Sequence, residues 1–307
     1  MTVQSITASS PNLGKVVSAA TGDTAFRVAA SGGAISVNSG GGKRVSTGTA
    51  ITTVTVACTG GGCNGNANIQ VTNVGTPTLR ARALTNFTVA MGTATLVSGP
   101  TGTNPVSFTI GGIGNGGTKT FTVGGDFPIA GNDSGLATGS ATSSFLVSIV
   151  PATGGTTNTG TGTATASVSR PISLSFLPAG GLAFGTAIRP SAGSGTVTID
   201  GTTGVRTVTG TGAIGTPSPA PARVVYTATG EGGQTISITV PATFPMTSGA
   251  NSLTVTTTAT ATGSQTLSNA LGSAGTFAFG VGGSFPFSTT TARGNYSGTF
   301  IVTVAYN

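Results

Sequence analysis

Apolar and polar side chains alternate along several short stretches of this chain. The clearest stretch is residues 300–306, where every second position is a large apolar or aromatic side chain: Phe300, Val302, Val304 and Tyr306. A period of two is that of a β-strand with one buried face. Similar runs recur along the chain between clusters of Gly, Asn, Pro and Ser, which favour turns. We therefore predict an all-β protein.

A repeated phrase divides the chain into two copies. Val-Gly-Gly-Asp-Phe-Pro begins at Val123, and Val-Gly-Gly-Ser-Phe-Pro begins at Val281. Residues 33–38 and 195–200 form a second similar pair in the same order. Two motifs repeated in one order indicate a tandem duplication. The predicted domains are two β-sandwiches covering residues 1–155 and 163–307, joined by a Gly/Thr-rich linker at residues 156–162.

The composition favours strands and turns over helices and catalysis. The chain has 307 residues, enough for two domains with cores of their own. Charged residues make up only 6% of it, against the usual quarter or so in soluble domains. Thr and Ser therefore act as the solvent-compatible residues, and Thr suits strands because its branched Cβ fits the pleated surface.

The net charge of +7 does not predict a nucleic-acid partner. A nucleic-acid-binding surface concentrates Lys and Arg and interleaves them with aromatic rings. Here the twelve basic residues are spread almost evenly along the chain. We interpret them as scattered solubilising charges and expect no nucleic acid to bind.

The side chains needed for enzymatic chemistry are scarce. The chain has no His, and its acidic residues are far apart in the sequence: Asp23, Asp126, Asp133, Asp200 and Glu231. General acid–base catalysis needs such groups brought together, and a Ser or Thr nucleophile needs a base to activate it. We predict no enzymatic activity, no catalytic residues, no metal site and no cofactor.

The two cysteines predict a local disulfide. Cys58 and Cys63 are separated by four residues, three of them Gly, which suits a small loop at the end of a hairpin. Such a bond indicates an oxidising compartment. A metal site is the alternative, but it lacks a second cysteine pair and any His. The corresponding stretch of the second copy has no Cys, so the bond is not required by the fold.

The first twenty residues form a weakly patterned leader. Its apolar side chains are isolated, and the candidates for burial are Val3, Ile6, Val16 and Val17. Two interpretations stay open: a flexible or edge segment, and a strand that is donated to a neighbouring molecule. The leader lacks the basic and apolar regions of a signal peptide. We expect an exported protein whose signal peptide is not part of this numbering.

The last residues resemble the C-terminal signature of pilins that Gram-negative bacteria assemble by the chaperone–usher route. Tyr306 is the penultimate residue, Gly294 lies fourteen residues from the end, and Phe300, Val302 and Val304 match the alternating positions. The resemblance implies immunoglobulin-like sandwiches that each lack a strand. It also implies a periplasmic chaperone that recognises these five residues, an outer-membrane usher and a place at the cell surface.

The second copy is also similar to a family of exported Gly/Thr-rich proteins of unknown function that are common in alphaproteobacteria. The similarity rests on Leu182-Ala-Phe-Gly, Gly195-Thr-Val and the last six residues, and it covers residues 163–307 better than the first copy. Two features depart from the pilin pattern. No disulfide joins distant strands, and shaft subunits usually have one domain.

These observations predict a structural subunit of an extracellular filament, a pilus or fimbria, made of two tandem strand-complemented β-sandwiches. We expect residues 163–169, with Ala164, Ala166 and Val168 inward, to complete the first sandwich. The leader of the next subunit, around residues 2–17, would complete the second. The subunit's main partner would be itself, and a host or abiotic surface is possible. A tip adhesin that binds a glycan and a non-polymeric surface-layer or biofilm matrix protein remain alternatives.

Overall fold

The computed structural model describes residues 2–151, 157–211, 213–216, 218 and 220–307. The chain divides into two compact units, Met1–Pro171 and Ile172–Asn307. Both consist of strands and turns, and the described residues contain a single short 3-10 helix, Asn132–Ser134. The prediction of an all-β protein is therefore confirmed. Among the described residues, no helix has the length and apolarity to cross a membrane.

The first unit is a β-sandwich of two sheets. Its strands are β1 (Thr2–Ala8), β2 (Asn12–Val17), β3 (Thr24–Val28), β4 (Ile35–Ser39), β5 (Lys43–Arg44), β6 (Thr52–Thr59), β7 (Ala67–Val74), β8 (Thr85–Met91), β9 (Leu96–Thr101), β10 (Val106–Ile110), β11 (Thr118–Ile129), β12 (Gly139–Pro151) and β13 (Asn158–Ser169). One sheet has the order β1-β6-β11-β3-β4, with β8 also paired to β11. The other has the order β5-β2-β13-β12-β7-β10-β9.

A single apolar core joins these two sheets. Alternate residues of β6 are buried, as a period of two requires for a strand that covers a core with one face. The ring of Phe108 in one sheet meets the ring of Phe121 in the other edge-on, with centroids 5.2 Å apart. Both rings belong to one continuous cluster of buried side chains that includes residues of both sheets.

The second unit has a similar main sheet and smaller companion sheets. Its strands are β14 (Ser173–Leu177), β15 (Thr186–Ile188), β16 (Ser194–Ile199), β17 (Arg206–Thr209), β18 (Ile214–Thr216), β19 (Val224–Glu231), β20 (Thr235–Thr239), β21 (Thr243–Ser248), β22 (Asn251–Ala259), β23 (Gly263–Thr266), β24 (Ala274–Ser288) and β25 (Thr303–Tyr306). The main sheet has the order β14-β19-β24-β16-β17, and β22 pairs with both β24 and β21. A three-stranded sheet has the order β23-β20-β25, and β15 pairs with β18.

The main sheets of the two units share one strand order. The order β1-β6-β11-β3-β4 matches β14-β19-β24-β16-β17 position by position. The phrases that begin at Val123 and Val281 lie in β11 and β24, the third strand of each sheet. The other motif pair is not equivalent, because residues 35–38 belong to the edge strand β4 whereas residues 195–199 belong to β16, which occupies the place of β3. Alternation specifies a strand but not its place in a sheet.

The boundary between the units lies after Pro171, not in the predicted linker at residues 156–162. Asn158–Ser169 is strand β13 of the first unit, and residues 152–156 lie outside the described set. The glycines that looked like linker residues are needed for packing. A Cβ at Gly160 would lie 2.7 Å from Cγ2 of Ile6, and a Cβ at Gly162 would overlap the ring of Phe145.

The leader is part of its own sandwich in this structure, which is the edge segment that the sequence left open beside a strand donated to a neighbour. β1 pairs with β6, and β2 pairs in parallel with β13. Leu13 and Val16 have no exposed surface, Ile6 is 9% exposed and Val17 is partly exposed. The side chain of Val3 lies outside the described set. The burial of Leu13, which the sequence analysis did not single out, ties the leader to the core.

The terminal strand is shorter than the alternation predicted. β25 begins at Thr303, and residues 300–302 precede it. Its ladder with β20 ends at the pair Thr239 and Thr303. Pro241 follows closely and has no backbone N–H to donate, so the ladder does not continue past this point.

Candidate functional site

Strand β13 completes the first unit. It is antiparallel to β12 on one side, from the pair Ile149 and Asn158 to the pair Gly139 and Val168, and parallel to β2 on the other. Its inward side chains are the three predicted for a complementing strand, and each is at most 2% exposed: Ala164, Ala166 and Val168. The structure thus brings these residues together in the core of the first unit.

The position that β13 occupies is filled almost completely. A small pocket of about 30 Å³ lies among Leu13, Phe145 and Ala164. It has room for no more than about two or three water molecules. The core of the first unit is therefore closed by strands of its own chain.

The second unit has no described strand at the corresponding place. β25 pairs with β20 from the pair Ile236 and Tyr306 to the pair Thr239 and Thr303. The three-stranded sheet stops at β25, whereas the first unit continues from β12 through β13 and β2. Within the described residues, the outer edge of β25 carries no ladder partner. An open edge of this kind is a template for another strand.

A large groove lies in the second unit. It has a volume of about 900 Å³. Aromatic side chains line much of it: Phe176, Phe184, Tyr226, Phe244, Phe285, Phe287, Tyr296 and Phe300. The groove is of the size that binds apolar ligands or peptide segments.

The groove is accompanied by a divided core. The buried residues of the second unit form two separate clusters rather than one. Leu182 and Phe300 touch both clusters and stay partly exposed. Phe176, which lines the groove, is 48% exposed, and the adjacent Leu177 is 72% exposed. A strand placed here would cover side chains that the described residues leave in contact with solvent.

Two of the five predicted assembly residues, Gly294 and Phe300, line this groove, and the other three lie outside its lining. Phe300 stacks at a tilt on Phe244, with ring centroids 4.8 Å apart. Val302, Val304 and Tyr306 pack against one of the two buried clusters, the one that includes Phe279, and they stay partly exposed. By contrast, the inward side chains of β12 are at most 2% exposed: Phe145, Val147 and Ile149.

The fifth predicted assembly residue, Gly294, lies in the loop before β25. It lines the groove, and a Cβ on it would overlap the hydroxyl of Ser248. The close approach of this loop to Ser248 therefore favours a glycine, since a larger residue would force the Ser248 hydroxyl to move.

Residues 174–306 match the family DUF4402. DUF4402 is described as a domain of unknown function, and the match covers less than half of the chain. It begins one residue into β14 and ends at the last residue of β25, so it coincides with the second unit. This agrees with the expectation that the second copy belongs with domains of unknown function. Among curated proteins, no significant match was found.

Three solved structures are similar to the chain at low sequence identity. AggA, the major subunit of aggregative adherence fimbriae type I from Escherichia coli, is 14% identical, with a TM-score of 0.27, over 54% of this chain and 93% of AggA. A chaperone–tip adhesin complex of CFA/I fimbriae is 12% identical, with a TM-score of 0.26, over 85% of this chain and 78% of the matched chain. A mutant of CfaE, the CFA/I adhesin of enterotoxigenic E. coli, is 10% identical, with a TM-score of 0.29, over 97% of this chain and 92% of CfaE. Scores this low do not establish a shared topology.

Two arginines of the DUF4402 region hold the loops around the groove. Nη1 of Arg206 donates to the carbonyls of Phe184, Thr186 and Thr216 at 2.7–3.3 Å. Arg189 bonds to the loop before Gly294, where its Nη1 donates to the carbonyls of residues 289 and 291 at 2.9 and 3.1 Å. Both arginines belong to the basic residues that were predicted to be scattered solubilising charges, and no local sequence motif distinguishes them.

A buried carboxylate joins four strands of the first unit. Asp126 of β11 accepts hydrogen bonds from Arg27 of β3 at 2.6 and 2.8 Å, from Asn38 of β4 at 3.1 Å and from Asn86 of β8 at 2.7 Å. Burial acts to raise the pKa of Asp126, but the hydrogen bonds from Arg27 and Asn86 outweigh it and hold the pKa below its ordinary 3.8. Both oxygens of the carboxylate already accept hydrogen bonds from these side chains, so we interpret the network as structural.

Cys58 and Cys63 are joined by a disulfide, with Cα atoms 5.8 Å apart and each residue 1% exposed. The bond closes the turn between β6 and β7. Among the described residues, no group of three or more His, Cys, Asp or Glu side chains is placed to hold a metal ion. The structure therefore offers two features in the second unit: the open edge of β25, and a groove rich in aromatic rings whose lining also includes Arg189 and Arg293.

Proposed function

We propose that this protein is a structural subunit of an extracellular filament and that a strand from a neighbouring molecule completes its second unit. One observation carries the proposal. The first unit has strand β13 beside β12, whereas the second unit has an open edge at β25 and a groove of about 900 Å³ that is lined by the loop before β25. The chain itself thus shows what a completed sandwich of this kind looks like.

An extended peptide suits the groove better than a compact ligand. The edge of β25 offers backbone N–H and C=O groups in the spacing of a ladder. Beside it, Val302, Val304 and Tyr306 pack against a buried cluster of the second unit and stay partly exposed. A strand that pairs with the edge and inserts alternate side chains satisfies both features, which is the mode of β-strand addition. Each Val, Leu, Ile or Phe buried in this way contributes about 1.5–3 kcal/mol.

The proposal includes the route to the cell surface. The same open edge would be covered by a periplasmic chaperone before assembly and released at an outer-membrane usher. The resemblance of the last residues to pilins supports this step. The low charge and the Thr- and Ser-rich surface suit an extracellular polymer of a Gram-negative bacterium. No enzymatic step enters the proposal.

Electron microscopy of the producing cells tests the proposal directly. Filaments are sheared from the cells, purified, stained and identified by mass spectrometry. Thin fibres composed mainly of this chain are the expected result. If the cells make no fibres that contain it, the protein is not a filament subunit, and the matrix-protein alternative takes its place.

Two adjacent residues offer a matched pair of variants. Val302 faces the buried cluster beside the groove, whereas Ile301 points away from it and is 80% exposed. We expect Val302→Glu to prevent incorporation into fibres, because a charge would be buried beside the incoming strand. Ile301→Glu should assemble like the wild type. Circular dichroism of both purified variants checks that each is folded, and equal incorporation of the two would count against the groove.

A tip adhesin is the second candidate, and the leader favours it. The strands β1 and β2 pair inside the first unit, so residues 2–17 are not free to complete a neighbour. A subunit that accepts a strand without donating this segment suits the end of a fibre. Immunogold labelling separates the two candidates. Label along the whole fibre supports the shaft subunit, and label confined to the ends supports the tip.

A further inference from the structure

The chain reaches β25 through a segment that belongs to no strand. β24 ends at Ser288, and β25 begins at Thr303. Residues 291–300 of this connection line the groove. We call its last part, residues 297–302, the strap. The strap leads from the main sheet of the second unit to the three-stranded sheet that contains β25.

The strap begins on β21, which belongs to the main sheet. Ser297 and Thr247 form an antiparallel bridge, in which each amide donates to the carbonyl of the other residue, at 2.8 and 3.1 Å. A Cβ on the next residue, Gly298, would overlap the backbone oxygen of Pro245. Further along the strap, Phe300 stacks at a tilt on a ring of β21. These contacts hold the strap against β21.

The rest of the strap has backbone groups without partners. Among the described residues, no backbone partner is found for the N–H and C=O groups of residues 298–302. Buried backbone groups are almost always paired, so this stretch depends on contact with water for its hydrogen bonds. Ile301 is accordingly 80% exposed. The backbone of residues 298–302 is thus free to form a ladder.

The sequence of the strap is nevertheless that of a strand. Phe300 and Val302 continue the alternation of Val304 and Tyr306. The ladder between β25 and β20 ends at Thr303 because Pro241 follows β20 closely and has no N–H to donate. A strand on the other edge of β25 would supply the missing partners of the strap.

β25 by itself is a short edge. It has four residues, Thr303–Tyr306. In the first unit, the corresponding strand β12 pairs with β13 over eleven residues, from Gly139 to Ile149. A strand that adds to β25 over a similar length must therefore pair with the strap as well.

We infer that the strap is a switch, which leaves β21 and extends β25 when a neighbouring strand is added. The inference rests on the proposed function and describes how the accepting unit changes. The strap cannot pair in both places, because β21 and β25 belong to different sheets. Leaving β21 breaks the two hydrogen bonds of the bridge, and only a longer ladder with the added strand replaces them. The free subunit thus keeps a short edge, which limits pairing with unrelated strands.

A disulfide across the bridge tests the switch. Ser297 and Thr247 are both exposed, and a hydrogen-bonded antiparallel pair has its Cα atoms about 5.5 Å apart, which a disulfide can span. The double variant Thr247→Cys with Ser297→Cys therefore locks the strap on β21. The control is Thr198→Cys with Thr207→Cys, an opposite pair of β16 and β17 that need not separate. Circular dichroism and mass spectrometry check that both are folded and crosslinked.

Each variant replaces the wild type in the producing cells, and mass spectrometry measures its amount in sheared fibres. We expect the locked variant to be incorporated at least about tenfold less than the wild type, because the ladder bonds of the strap are lost. The control pair should assemble like the wild type. So should Ser297→Ala, which keeps the bridge but forms no crosslink.

Hydrogen exchange with mass spectrometry provides the second measurement. The amides of residues 298–302 should exchange at least about tenfold more slowly in wild-type fibres than in the free subunit, because they gain ladder partners. If the locked variant assembles as well as the control, or if these amides stay unprotected in fibres, the switch is wrong while the strand-accepting edge stands. If neither crosslinked variant assembles, the exchange in wild-type fibres decides. If the wild type forms no fibres, both the switch and the proposed function fail.

Discussion

The backbone amide of Glu231 donates a hydrogen bond of 2.7 Å to the hydroxyl of Tyr306. This bond ties the last residue of β25 to the end of β19, where the turn into β20 begins. The side chain of Glu231 is fully buried and accepts a hydrogen bond of 2.6 Å from the amide of Gly272. In the first unit, the turn between the corresponding strands is closed by the disulfide of Cys58 and Cys63. The two units thus secure one turn by different means.

Replacing the hydroxyl of Tyr306 should loosen the terminal strand. We expect Tyr306→Phe to lower the free energy of unfolding of the second unit by about 1–2 kcal/mol, because the amide of Glu231 loses this acceptor. Chemical denaturation followed by circular dichroism measures the change. Tyr296→Phe is the control, since the hydroxyl of Tyr296 donates to the nearby carbonyl of Ala292 at 3.0 Å and not to a backbone group of another strand among the described residues. An equal loss in both variants would contradict the role given to Tyr306.

The disulfide should stabilise the first unit alone. Its loop spans a sequence separation of 5, so the chain-entropy relation gives about 2 kcal/mol. We expect the double variant Cys58→Ala and Cys63→Ala to lower the melting temperature of the first unit. The transition of the second unit should not move. Differential scanning calorimetry of the full chain, with and without reductant, measures both, and a shared shift would show that the units do not melt independently.

Strand β13 should not tolerate a larger residue at Gly162. We expect Gly162→Ala to destabilise the first unit by about 1–3 kcal/mol, because the new methyl group overlaps the ring of Phe145 and forces overpacking. Gly61→Ala is the control, since a Cβ there meets no atom within 4 Å. Combining Gly162→Ala with Phe145→Leu should recover part of the loss. Thermal denaturation of the wild type, Gly162→Ala, Phe145→Leu, the double variant and the control tests this, and additive effects of the two single substitutions would rule out a direct contact.

Acid should weaken the first unit through Asp126. The pKa of Asp126 lies below its ordinary 3.8 in the folded protein, so the ionised carboxylate favours the native state. Its contribution is fully present above the ordinary pKa and is lost as the pH falls through the lowered value. We expect the free energy of unfolding of the wild type to decline below about pH 4. Asp126→Asn should lose about 2–3 kcal/mol at pH 7 and show a smaller decline in acid.

A surface ion pair supplies the comparison for that experiment. Arg82 and Asp23 are 3.3 Å apart, and their side chains are 42% and 50% exposed. An exposed pair of this kind is worth about 0–1 kcal/mol. Asp23→Asn should therefore change stability at pH 7 by much less than Asp126→Asn. Similar losses in the two variants would show that burial of the carboxylate is not what matters.

Strand formation was predictable because it depends on local pattern. Residues 25–29 alternate and form β3 at Thr24–Val28, and residues 144–150 lie within β12. Weakly patterned strands were missed. β9 is exposed at all six positions, so its sequence has no alternation of apolar and polar side chains that would predict a strand. The roles of the two arginines beside the groove were not predicted either. Their partners are backbone carbonyls, which every residue has, so the sequence gives no sign of these bonds.

The candidate site was predicted in part. The alternation around Val302 and Val304 indicated a strand with one apolar face, and Ala164, Ala166 and Val168 indicated another. The prediction of a flexible linker at residues 156–162 was wrong, because it rested on the glycines of this segment. In the folded chain, Ile6 and Phe145 leave no room for any other residue at Gly160 and Gly162.

The sequence by itself determined the all-β class, the two copies and the faces that the best-patterned strands bury, because side-chain alternation acts within a strand. Only the tertiary structure decided which strands pair. It assigned β13 and the leader to the first unit and left the edge of β25 without a described partner. The physical reason is that ladder hydrogen bonds join backbone groups, which are the same in every residue but Pro. Pairing is therefore selected by how whole faces pack together, and that selection involves residues far apart in the chain.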